Sequence, residues 1–197
     1  AYGEPSKLSQ AINAANKALQ SLGRDVLTAL VTFDATAEVW LDLQPSNHEK
    51  IADALVQIEP RGVTCIAAGL VESGNFTKKS GHEGEVLLLT DGRANLSQNR
   101  TGGFEGSLML EEELVGISRL ASQRDITIHT VAVGEDAFTH TLSTLSGNAK
   151  GGYWLAEDFQ GFTPQPPKSL SILETRELQF YGVPVELPSA QPTWTKE

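Results

Sequence analysis

Glu85–Thr90 reads Glu-Val-Leu-Leu-Leu-Thr and runs straight into Asp91-Gly92. A strand with one face in water alternates apolar and polar side chains, whereas a strand covered on both faces is apolar at consecutive positions. Val26–Phe33 is written the same way, and so is the run from Ile126 to Val133. Between these runs the apolar residues take helical spacing. Leu8, Ile12, Ala15, Leu19 and Leu22 fall on one helical face, with Ser6 as N-cap and Gly23 as stop. Asn47–Ile58 places Ile51, Leu55 and Ile58 together before the break at Pro60-Arg61-Gly62, and a further helix starts near Thr64. Leu110, Leu114, Ile117 and Leu120 mark another, and Phe138, Leu142 and Leu145 a short one ending at Gly147. Buried strands alternating with amphipathic helices predict an α/β fold: a doubly wound, mostly parallel sheet with helices on both faces.

Two pieces depart from the pure alternation. Asp34-Ala35-Thr36 turns the chain, and Ala37, Val39, Leu41 and Leu43 then alternate, which predicts a hairpin partner at the sheet edge. Gly151–Asp158 reads as a last short strand. Beyond residue 160 the style changes: Gly161–Ser169 holds three prolines and no period, and Pro184 and Pro188 interrupt the apolar stretch that follows. The organisation expected is one domain over residues 1–160 and a Pro-rich linker with an extended segment over 161–197.

Charge and composition exclude several functions. Acidic residues outnumber basic ones 25 to 15, for a formal charge of −10. A nucleic-acid phosphate backbone asks for the opposite balance, so no nucleic-acid partner is expected. No apolar run approaches the ~20 residues of a bilayer-spanning helix. The single cysteine, Cys65, leaves no internal disulfide and no multi-thiolate metal site, and fits a reducing compartment, so a cytoplasmic location is expected. Cys65 itself reads as a small buried side chain. His129, inside a strand, reads as an inter-layer histidine, and His48, His82 and His140 as surface positions. Glu111-Glu112-Glu113 opens a helix, where acidic charge suits the helix dipole. No Gly-x-Ser-x-Gly elbow, phosphate loop or paired nucleophile and base occurs, so the chain is not expected to be an enzyme.

In an open parallel sheet, ligands bind past the carboxyl ends of the strands. Asp91 stands at such an end, and Thr64, before its helix, belongs to the same rim. A carboxylate and a hydroxyl are hard oxygen donors suited to Mg²⁺, Mn²⁺ or Ca²⁺ rather than zinc. The same two residues are also what an ordinary Asp-Gly turn and a helix cap use.

The ordered set of segments Leu27–Leu43, Arg61–Leu70, Glu85–Asn95, Ile126–Gly134 and Leu145–Asp158 resembles the von Willebrand factor type A family, whose fold is Rossmann-like. The resemblance implies a metal-ion-dependent adhesion site (MIDAS), with Thr64 as a direct ligand and Asp91 as a ligand acting through water. A protein partner would supply an acidic side chain to the ion. Such domains also serve as subunits of larger assemblies, including ATPase-linked ones. Arg93 and Asn95, in the long loop from Arg93 to Ser107, are the expected partner contacts beside the metal. The family's Asp-x-Ser-x-Ser loop does not occur in this sequence. Its first, central strand is therefore expected to be lacking, with strand and loop preceding Ala1. Two other readings stand beside this one: a metal-free scaffold with a degenerate site, and a metal-dependent hydrolase or phosphotransferase centred on Asp91.

Overall fold

The computed structural model describes residues 6–59, 63–80, 84–98 and 108–161. The Pro60–Gly62 break, His82, most of the Arg93–Ser107 loop and residues 162–197 lie outside them.

Helix α1 (Lys7–Ser21) starts where the Ser6 hydroxyl accepts the Ser9 N–H at 3.1 Å, and it buries Ala14, Ala18 and Leu19. Strand β1 (Leu27–Phe33) folds back on β2 (Ala37–Pro45) as an antiparallel hairpin, pairing Val31 with Val39 and Phe33 with Ala37. The turn is closed locally: the Asp34 carboxylate accepts the Thr36 N–H at 3.0 Å. Helix α2 (His48–Leu55) is capped by Asn47 and is shorter at both ends than its apolar spacing predicts. Helix α3 (Ile66–Ser80) begins two residues beyond Thr64. Strand β3 (Gly84–Thr90), helix α4 (Leu108–Gln123), strand β4 (Ile126–Ala132), helix α5 (Thr139–Asn148) and strand β5 (Lys150–Leu155) complete the described chain. No helix among the described residues is long and apolar enough to cross a membrane.

Strands β3, β4 and β5 form a parallel sheet in that order, with Leu87 opposite His129 and Val131 opposite Trp154. The continuous apolar writing is explained by the two layers on this sheet. Val86 and Leu88 pack with Ile128 into the core under α3, α4 and α5. Leu87 and Leu89 point the other way, with Val131, towards Ala14 and Ala18 of α1 and towards Phe159. A third cluster joins Leu19 of α1 to Ile51 and Leu55 of α2 and to Leu30 and Leu41 of the hairpin.

The described residues form two sheets, which fits the expected lack of a central strand between them. Among them β1 pairs with β2 alone, and β3 pairs with β4 alone. Between β1 and β3 runs a cleft of about 1390 Å³, lined by Val26–Asp34 on one side and Gly84–Asp91 on the other. The expectation that β1 is covered on both faces is corrected: Leu27 is exposed and the rest of the strand only half-buried. The cleft is the reason, because it opens beside every residue of β1.

Candidate cation site at the end of β3

Asp91 directly follows β3, Thr64 precedes α3, and both line the same cleft. At Thr90 the sheet ends, and the Thr90 hydroxyl accepts the Gly92 N–H at 3.2 Å. Gly92 adopts φ +76°, a left-handed conformation that costs a side-chain-bearing residue energy. The turn holds the Asp91 carboxylate fixed: Oδ1 accepts the Arg93 N–H at 3.0 Å, while the Asp91 carbonyl accepts the Phe138 N–H at 2.8 Å.

Thr64 is locked to the same loop. Its N–H donates to Asn95 Oδ1 at 2.8 Å, and its carbonyl accepts the N–H groups of Asn95 and Leu96. The Cys65 N–H donates to the Asp34 carbonyl at 2.7 Å, which ties the start of α3 to the end of β1. Asn95 thus clamps two loops together, and Thr64 and Asp91 line the upper end of one cleft. The Thr64 backbone is consumed by this clamp, and its hydroxyl has no hydrogen bond among the described residues. Arg93 lies folded down: its guanidinium bonds the Asp136 carboxylate at 3.0 Å and the Asp136 carbonyl at 2.9 Å, and sits 5.0 Å over the Phe138 ring.

Two residues of the rim were not singled out from the sequence. Lys7 Nζ lies 3.0 Å from Asp91 Oδ2 and 2.8 Å from Asp136 Oδ1. The hydrogen bond to Asp136, then that to Asp91, holds the Lys7 ammonium above the usual lysine range despite partial desolvation. Lys7 in turn pulls the exposed Asp136 carboxyl below its usual range. A signal was present: a lysine in the first turn of a helix opposes the helix dipole and calls for an acidic neighbour from elsewhere.

The donor chemistry fits a hard divalent cation. Asp91 and Thr64 offer oxygens, and Asp91 Oδ2 already carries a positive group in the form of Lys7. The two side chains are only part of a coordination shell, and the described residues hold no cluster of three or more His, Cys, Asp or Glu able to bind a metal ion.

Residues 1–93 match the family model of the von Willebrand factor type A domain. This chain has the von Willebrand factor type A fold. An aerotolerance-related membrane protein from Bacteroides fragilis superposes with a TM-score of 0.63 at 16% identity, over 80% of this chain and 85% of that one. A manganese-loaded TRAP protein from Plasmodium vivax gives 0.61 at 17% identity, over 80% of this chain and 65% of that one. Proximal thread matrix protein 1 from the mussel byssus, with a zinc-occupied MIDAS motif, gives 0.56 at 21% identity, over 75% of this chain and 36% of that one. No curated protein matches the sequence. Two of these type A neighbours carry a divalent metal, which is a property of those proteins.

His129, on β4, sits between the neighbouring strands β3 and β5 in the sheet. His129 Nδ1 accepts the Gly152 N–H at 3.0 Å, and the ring stacks on Trp154 at 5.8 Å and faces Glu85 at 3.7 Å. Cys65 is buried, and desolvation pushes its thiol up.

Proposed function

We propose that this type A domain is a protein-binding module assisted by a divalent cation, Mg²⁺ or a close substitute such as Mn²⁺ or Ca²⁺, held at Asp91 and Thr64. What supports the reading is the Asn95 clamp, which brings a hydroxyl without a hydrogen bond and a fixed carboxylate to one rim. When bound, the ion supplies an open coordination position for a carboxylate of a protein partner. The chain's own residues do the rest. Gly92 and the Arg93 N–H aim the Asp91 carboxylate, Asn95 aims Thr64, and Asp136 takes Lys7 when the ammonium leaves Asp91. Arg93 and Asn95 flank the position that the partner would approach. The wider setting proposed is a non-enzymatic subunit or adaptor of a larger assembly, an ATPase-linked one included.

Titration of Mg²⁺ and Mn²⁺ into the full-length protein by calorimetry tests this. Saturable 1:1 binding is expected, weakened at least tenfold by Thr64→Ala and abolished by Asp91→Ala. The Lys7–Asp91 ion pair favours a second reading, a metal-free scaffold in which the lysine has taken the cation's place. Absence of saturable binding in every form would establish that reading instead.

A further inference from the structure

We propose that Glu113 of α4 is a positioning residue for the rim of Thr64 and Asp91. Its buried carboxylate anchors the loop that follows β3 and, through Asn95, holds Thr64 in place. The consequence for a cation rests on the function proposed above, whereas the anchoring does not.

The loop is tied down in succession. Beside β3 the Asp91 carboxylate accepts the Arg93 N–H at 3.0 Å, and the Ala94 N–H donates to the Gly92 carbonyl at 3.0 Å. Asn95 then holds Thr64 through both of its backbone groups: Oδ1 accepts the Thr64 N–H at 2.8 Å, and the Asn95 N–H donates to the Thr64 carbonyl at 3.0 Å. Past Asn95 the Gln98 N–H donates to Glu113 Oε1 at 3.0 Å. A clamp in the middle of a loop is only as rigid as the attachments on either side of it. The sheet supplies one attachment, and α4 supplies the other through Glu113.

The position of Glu113 on its helix is what makes it informative. Leu110, Leu114 and Ile117 form the buried stripe of α4, and Glu113 falls inside that stripe, three residues after Leu110 and four before Ile117. An apolar side chain is the ordinary choice there, and burying a carboxylate is costly unless it is hydrogen-bonded. The carboxylate has such a bond, and it goes to the backbone of the rim loop. A charge-assisted bond of this kind is roughly twice as strong as a neutral one, so it fixes the loop more firmly than a neutral acceptor does. Glu113 also lies close to the start of α3. Burial chiefly, and the Glu113 charge beside it, push up the thiol of Cys65, the residue after Thr64. One buried side chain thus stands next to both segments that build the rim.

The test uses the full chain, with Mn²⁺ as the probe. Glu113→Leu completes the apolar stripe and removes the acceptor, and Glu113→Met, closer in length, is a second variant of the same kind. Glu113→Gln keeps the acceptor. Ile117→Ala, one turn along the same helix, weakens the core without touching the loop. Amide hydrogen exchange is read first, without metal. Exchange at Thr64, Asn95 and Gln98 should quicken at least tenfold in Glu113→Leu and Glu113→Met, with β4 amides unchanged. In Glu113→Gln and Ile117→Ala the three amides should stay within about twofold of the parent. Calorimetric Mn²⁺ affinity should then fall at least fivefold in the Leu and Met variants and less than twofold in the other two. Unchanged exchange at Thr64 in the Leu and Met variants would overturn the proposal, and so would equal quickening in Glu113→Gln or Ile117→Ala. The expected exchange pattern in a parent that binds no Mn²⁺ would strike the cation reading and uphold the anchor. The same pattern with Mn²⁺ affinity unaltered would overturn the link from the anchor to the cation site.

Discussion

Lys7 Nζ and Asp91 Oδ2 stand 3.0 Å apart, although 84 positions separate the two residues in sequence. The first turn of α1 thereby delivers a cationic group to the carboxylate that would hold a metal ion. Any divalent cation at Asp91 competes with that ammonium. The pair is partly exposed, and such pairs contribute ~0.2–1 kcal/mol, so the competition is modest. Lys7→Gln is expected to tighten Mn²⁺ binding by up to about fivefold in calorimetric titration, with Lys7→Arg close to the parent. An unchanged or weaker affinity in Lys7→Gln would show that Lys7 does not compete at this site.

Gly92 carries φ +76°, and a Cβ there would come within 3.1 Å of Leu142 and 3.2 Å of Phe138. Backbone strain alone costs roughly 1–2 kcal/mol for a non-glycine residue, and the crowding adds to it. Gly92→Ala should lower stability by about 1–3 kcal/mol in urea unfolding and weaken cation binding, because the turn aims Asp91. Gly147, in α5 with open space around it, is the control: Gly147→Ala should be neutral or stabilising by a few tenths of a kcal/mol.

Much of this architecture is legible locally, and what is not has a common cause. Leu87 and Leu88 are both apolar because each faces a different helical layer, and a reader of the sequence needs only the two-residue period to infer both layers. Asp91 and Thr64 are legible because parallel sheets place their sites past the strand ends. Which residues Lys7, Asp136 and Asn95 meet is not legible, since their partners lie far along the chain. The half-exposure of β1 is likewise set by a neighbour, the cleft, and not by its own residues. Glu111–Glu113 fits a helix dipole at sequence level, yet the helix turn carries Glu113 under the loop of Gln98, where it is buried.

Phe159 lies past the last strand, at the expected domain boundary, and is nonetheless fully buried. Its ring meets Trp154 edge-on at 5.4 Å and packs on Ala14 and Ala18, while Lys17 donates to its carbonyl at 2.7 Å. The segment after β5 is thus part of the core beneath α1. Phe159→Ala should cost about 3–5 kcal/mol in chemical unfolding. A change below 1 kcal/mol would mean that residues 156–161 do not pack as described.

Glu113 is 4% exposed, and its carboxylate accepts the Gln98 N–H at 3.0 Å. Burial raises its pKa above the ordinary 4.5, and the hydrogen bond from Gln98 offsets only part of that. In the folded state the proton is therefore held more tightly than in the unfolded chain. Between the two pKa values the native state binds more protons, so stability falls as pH rises from about 4.5 through the folded-state value. Above that window the full cost of a buried charge persists to neutral pH. Glu113→Gln keeps an oxygen acceptor for Gln98 and removes the charge. The variant should unfold at a higher temperature than the parent at pH 7, and the difference should vanish when both are measured below pH 4.5. A variant less stable than the parent at pH 7 would mean that the charge-assisted bond to Gln98 outweighs the desolvation of the carboxylate.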